Sequence, residues 1–164
     1  MAKASVDQPL VPSLLDRLLD DQPTAARELL KTRTQLLREL KQSVRRDLEN
    51  LLNTRRRCRS WPENLEELEL SLVNYGLPDV TGFQLGTTYS RESLQKVLEQ
   101  VIRRFEPRFK NITVEMLDAV DPLERRLRFR IDALLHAEPA PEPVVFDSAV
   151  QPATGVVEIR GAGR

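Results

Sequence analysis

The hydrophobic period of this chain changes at Glu106-Pro107, and that change limits the folds open to it. Upstream, Leu94, Val97, Leu98, Val101, Ile102 and Phe105 recur at steps of three and four behind Ser90, an N-cap candidate, which predicts an amphipathic helix. Pro107 has no amide hydrogen and biases Glu106 away from helical angles, so the helix ends close to Phe105. Downstream the period falls to two. Ile112, Val114 and Met116 alternate with Thr113 and Glu115, and after a turn at Asp121 and Pro122, Leu127, Phe129 and Ile131 alternate with Arg126, Arg128, Arg130 and Asp132. These two runs predict an antiparallel hairpin with one buried face and an outer arginine row, solvated or paired across strands.

A half-buried hairpin needs a cover. From Thr24 to about Arg56, Leu29, Leu30, Leu36, Leu37, Leu40, Val44, Leu48, Leu51 and Leu52 follow helical steps, with Thr32 to Thr34 as the place where such a helix would break. This helix and the one ending at Phe105 can lie on one face of a small antiparallel sheet, so the expected class is α+β. Between them, Pro62, Gly76, Pro78 and Gly82 punctuate a loop with a short helical piece from about Glu66 to Asn74. At the far end, the proline-bearing stretch Glu138 to Pro143 leads to Val144–Phe146. Val156 to Ile159 follow after Pro152 and Gly155, as a second, looser hairpin.

Two features outside this frame are candidates for contact. Ser13 precedes Leu14, Leu15, Leu18 and Leu19, a short leucine-faced helix too small to be stable alone, which either packs on the core or docks in a partner's groove. We divide the chain at this point into an N-terminal extension, residues 1–23, and one domain with an extended tail, residues 24–164. Arg55, Arg56, Arg57 and Arg59 crowd the end of the long helix, as cations on its dipole or as a patch for acidic partners.

Composition excludes several classes. Lysine plus arginine equal aspartate plus glutamate at 25 each, so no net field draws the molecule to nucleic acid or an anionic membrane. One cysteine, Cys58, and one histidine, His136, supply neither an internal disulfide nor the ligands of a structural zinc, which fits a reducing cytoplasm without cofactor or metal. A phosphate loop, a His-Glu-x-x-His pair and a nucleophile beside a base are absent from the sequence, as are a signal peptide and an apolar run long enough to span a bilayer.

Several strings carry a family resemblance. They are Pro12-Ser13-Leu14-Leu15-Asp16-Arg17-Leu18, the helix end Ser43-Val44-Arg45-Arg46-Asp47-Leu48-Glu49-Asn50-Leu51-Leu52-Asn53-Thr54-Arg55-Arg56, Asn74-Tyr75-Gly76-Leu77-Pro78-Asp79, Phe105-Glu106-Pro107-Arg108 and Pro143-Val144-Val145-Phe146-Asp147-Ser148. Over nearly its whole length the chain resembles the TssE family of type VI secretion baseplate subunits, itself similar to a wedge protein of contractile phage-tail baseplates. It departs from the family at Arg57-Cys58-Arg59 and after Ile159.

The resemblance implies a non-enzymatic subunit of a cytoplasmic baseplate docked at the inner membrane. Such a subunit binds the other wedge components (TssF, TssG, TssK) and starts polymerisation of the sheath (TssB, TssC). It implies contacts through Glu106 and Arg108 with Pro107 fixing the turn, and we add Leu15, Leu18, Arg55, Arg56, Val144, Val145 and Phe146 as partner-binding candidates. The family has also carried a lysozyme-like label, which makes a peptidoglycan-cleaving enzyme using Glu106 the alternative. Glycoside hydrolysis needs a second carboxylate across a cleft, and the sequence identifies none.

Overall fold

The computed structural model describes residues 10, 13–18, 31–57, 62, 64–65, 67–79, 88–117, 126–137, 140–151 and 154–161. The expected turn at Asp121 and Pro122, the arginine-flanked Cys58 and Arg59, and residues 19–30 lie outside them. The elements are α1 (Leu14–Leu18), α2 (Arg33–Asn53), α3 (Glu67–Leu70), a 3-10 turn (Leu72–Asn74), α4 (Thr88–Phe105), β1 (Phe109–Leu117), β2 (Leu127–Leu135), β3 (Glu142–Gln151) and β4 (Val156–Gly161). The strands form one antiparallel sheet in chain order, so the class is α+β.

The long helix starts at the break named at Thr32 to Thr34 and stops at Asn53, short of Arg56. Thr32 caps it: Gln35 N donates to Thr32 Oγ1 at 3.3 Å and Thr32 N donates to Gln35 Oε1 at 2.8 Å, a reciprocal capping box. At the other end Thr54 turns extended and closes α2 by giving its hydroxyl to Asn50 O at 2.7 Å. The next residues therefore leave the helix. Arg55 bridges in parallel to Leu77, with Leu77 N to Thr54 O and Arg56 N to Leu77 O both at 2.8 Å. Gly76 makes this approach possible: its φ is +107°, and a Cβ there would stand 2.4 Å from Thr54 O. Arg55 and Arg56 sit in this bridge and Arg57 follows it, rather than in the last helical turn, where no basic residue falls.

Helix α4 ends at Phe105 as Pro107 requires, but it begins at Thr88, so Ser90 lies within its first turn rather than at its cap. The piece expected from Glu66 to Asn74 divides into α3 and the 3-10 turn, where Ser71 caps by accepting from Val73 N.

One face of the sheet carries Ile112, Val114, Phe129, Ile131, Leu135, Val144, Phe146, Val150, Val157 and Ile159, buried against Val44, Leu48, Leu51 and Leu52 of α2 and Leu94, Leu98 and Ile102 of α4. The hydroxyl of Ser148 lies on this buried face without a hydrogen-bond partner among the described residues. Helix α4 packs on β1 and α2 on β4, at opposite ends of the sheet. The outer face bears a row of alternating charge, Glu115 opposite Arg130, Arg130 opposite Asp147, Asp147 opposite Arg160. Arg130 Nε donates to Asp147 Oδ1 at 2.9 Å. The arginine row is thus paired across strands at Arg130, an exposed pair that solvent screens.

The C-terminal hairpin is tighter than the prolines suggested. β3 runs unbroken from Glu142 to Gln151 and pairs with β2 from Glu142 to Val150, Pro143 included, and β4 pairs with it from Gln151–Val156 to Phe146–Gly161. Gly155 turns the chain at φ +66°.

Candidate partner-binding site

Where the period changes, the backbone makes a tight corner. Glu106 N still donates to Ile102 O at 2.9 Å, Pro107 points to solvent, and Phe109 N donates to Glu106 O at 3.3 Å as β1 begins. The corner turns Glu106 inward, leaving it 5% exposed. Arg108 folds back over it: Nε donates to Glu106 Oε1 at 2.6 Å and Nη2 to Glu106 Oε2, a bidentate fork. The same guanidinium reaches α2, with Nη2 to Asp47 Oδ2 at 2.7 Å and Nη1 to Ser43 Oγ at 3.3 Å. Burial opposes the Arg108 charge, but the bonds and charges of Glu106 and Asp47 outweigh it and raise its pKa. Burial also pushes the Tyr75 hydroxyl up, with the Asp47 and Glu106 charges adding to the effect.

The network continues to the N-terminal helix. Arg46 Nε and Nη2 each donate to Asp47 Oδ1 at 3.3 Å, and Nη2 donates to Asp16 Oδ1 at 2.8 Å. Ser13 and Ser43 hydroxyls both donate to Asp16 Oδ2 at 2.6 Å. Burial opposes the Asp16 charge, yet these hydrogen bonds and the Arg46 cation bring its pKa from 3.8 down to about 2. α1 is held through this carboxylate, because none of its residues is buried. Leu14, Leu15 and Leu18 are 76%, 55% and 81% exposed.

Beside the network is a shallow concavity of about 420 Å³ lined by Ser13, Asp47, Leu51, Tyr75, Phe105, Glu106, Pro107 and Arg108. Tyr75 and Phe105 meet edge to face, centroids 5.3 Å apart at 70°. The charged groups of the corner are satisfied inside the protein, so its outward parts are the Pro107 ring and the partly buried Tyr75 and Phe105 rings.

The structure brings Glu106, Pro107 and Arg108 together with the helix of Leu15 and Leu18, through Asp16 and α2. It sets the other candidates apart. Arg55 binds Asp79 Oδ1 at 3.0 Å and Thr154 O at 3.3 Å, lying across Gly155 so closely that a Cβ there would be 1.7 Å from its Nη2. Arg56 is half-buried in the bridge to Leu77. Val144 and Phe146 belong to the core, while Val145 between them faces outward.

The sequence reading did not single out Asp16, Ser43, Arg46 and Asp47. A signal was present: Ser43 and Asp47 stand four apart, flanking the apolar stripe of Leu40, Val44, Leu48 and Leu51 on the helix side that meets the corner. Among the described residues no cluster of His, Cys, Asp and Glu could hold a metal ion, and no helix is long and apolar enough to cross a membrane.

No curated protein matches the chain. One solved structure similar to it is a chain of "The baseplate complex from the type VI secretion system", 20% identical, covering 77% of this chain and 97% of that chain, with a TM-score of 0.48. Residues 38–140, more than half of the chain and including most of α2, all of α4, β1 and β2, and the Glu106 corner, match the family of the baseplate wedge protein gp25. The chain belongs to the baseplate wedge protein gp25 family.

Proposed function

We propose that this wedge-family chain is a TssE-like subunit of a type VI secretion baseplate, in the cytoplasm at the inner membrane, turning over no substrate. It binds the other wedge subunits (TssF, TssG, TssK) and starts the sheath (TssB, TssC) by accepting an extended sheath segment as an added strand. The observation that carries a binding role over a catalytic one is the Glu106 carboxylate: it is buried and both its oxygens accept from Arg108. A glycosidase acid must meet the leaving-group oxygen, with a second carboxylate across the sugar. Here neither Glu106 oxygen is offered, and the carboxylate of Asp47 is held by the same guanidinium.

In this reading the network is a brace. It fixes the corner so that Pro107, Tyr75 and Phe105 present a preformed surface to a wedge partner, which lowers the ordering cost of binding. Through Asp16 it also holds α1 with Leu15 and Leu18 outward, ready to enter an apolar groove.

The test is co-purification with the wedge subunits. A Leu15→Asp, Leu18→Asp variant keeps its fold by circular dichroism and loses the wedge partners. A Glu106→Ala, Arg108→Ala variant that still folds binds them more weakly. Undiminished binding by both variants would overturn the assignment of these surfaces.

A further inference from the structure

In an antiparallel sheet the N–H and C=O of one residue point the same way, alternately towards one neighbouring strand and the other. Val157 donates its N–H to Asn53 Oδ1 at 2.9 Å, and its C=O accepts from Asn53 Nδ2 at 2.9 Å. Its backbone therefore faces away from β3, and since the β3–β4 register is unbroken, so do those of Ile159 and Gly161. At the opposite edge Val114 donates its N–H to Glu99 Oε1 at 2.9 Å, which turns Ile112, Val114 and Met116 outward. The two assignments agree. Val114, Ile131, Phe146 and Gly161 form one row across the sheet, and carrying the alternation along it from either edge gives the same result.

Each edge thus carries a side-chain plug from a long helix, Asn53 of α2 on β4 and Glu99 of α4 on β1. The plugs leave different openings. Glu99 sits at the middle of β1 and separates Ile112 from Met116, so no two successive outward residues are open there. Asn53 sits at the turn end of β4, where Arg55 also ties Thr154, and among the described residues it leaves Ile159 and Gly161 open in succession. The charge row across the outer face reaches β4 at Arg160, whose side chain is 79% exposed.

We propose that the added strand goes to β4 and not to β1: it pairs with Ile159 and Gly161, is stopped from sliding towards the β3–β4 turn by the Asn53 amide, and carries a carboxylate opposite Arg160. The proposal rests on the reading that the sheath binds by strand addition, and it specifies the edge, the register and the charge of the incoming segment. The carboxylate continues the alternation of Glu115, Arg130, Asp147 and Arg160 by one more strand, the arrangement that opposite-charge cross-strand neighbours favour.

The experiment is residue-resolved amide hydrogen exchange on the full chain, alone and with purified TssB–TssC sheath heterodimer. The Ile159 and Gly161 amides exchange fast in the free chain and become protected on binding, while Ile112 and Met116 do not change. Protection at Ile112 and Met116 instead would overturn the choice of edge and leave strand addition standing. Bound sheath with no new protection at either edge, or no sheath binding at all, would overturn strand addition itself. Arg160→Glu, at an exposed position that leaves the fold intact, weakens binding by about three- to tenfold; unchanged affinity would overturn the charge assignment.

Discussion

Replacing Arg108 with methionine keeps much of the side chain's length but removes the guanidinium that serves Glu106, Asp47 and Ser43 together. The Glu106 side chain is only 6% exposed, so its carboxylate loses its charge partner where water cannot replace it. Breaking a buried pair from one side costs about 3–5 kcal/mol. Arg108 and Asp47 are 23% and 28% exposed, which admits some water and brings the expected cost to about 2–4 kcal/mol. For a chain of this size that corresponds to a fall in Tm of about 4–16 °C. Urea unfolding followed by far-ultraviolet circular dichroism reads it, and a double-mutant cycle isolates the pair. In a Glu106→Gln background, Arg108→Met costs less than in the wild type by about 1–3 kcal/mol, because the buried Glu106 charge is no longer left without its partner and Asp47 keeps Arg46. A cost below about 0.5 kcal/mol, or single effects that add to within about 0.5 kcal/mol, would refute the reasoning.

Gly76→Ala destabilises by at least about 2 kcal/mol, since φ +107° and the Thr54 carbonyl both exclude a Cβ, and an unchanged urea midpoint would contradict that account of the bridge. Asp16 is held near pKa 2 in the folded chain against an ordinary 3.8, so its contribution is complete above about pH 4 and is lost as pH falls towards 2. Wild type and Asp16→Asn accordingly differ in urea midpoint at neutral pH and converge by about pH 2, and a constant difference over that range would show the carboxylate to be unlinked. Leu15→Asp, Leu18→Asp shifts stability by no more than about 0.5 kcal/mol, as expected of exposed positions, and a larger loss would mean that α1 packs on the core.

What was legible in the sequence was what repeats locally. The apolar spacing from Leu94 to Phe105, the stop at Pro107 and the alternation of Ile112, Val114, Leu127, Phe129 and Ile131 led directly to α4, β1, β2 and the face they bury. What was not legible depends on partners far away in the chain. Arg108 meets Asp47 and Ser43 across 61 and 65 residues, and Asn53 meets Val157 across 104, separations at which no local pattern specifies a pairing. Ser90 resembled a cap because its side chain suits one, but α4 already begins at Thr88. Pro143 suggested a break and produced none, because in this sheet the odd residues of β3 face away from β2, and a missing N–H there costs the β2–β3 ladder nothing.

As a member of the baseplate wedge family, the chain is proposed to be a building block of a baseplate wedge. The most direct measurement is co-expression of the full chain with TssF and TssG, followed by size-exclusion chromatography with light scattering. One stable complex that contains the chain in fixed stoichiometry is expected. Elution of the chain alone, while TssF and TssG assemble without it, would contradict it.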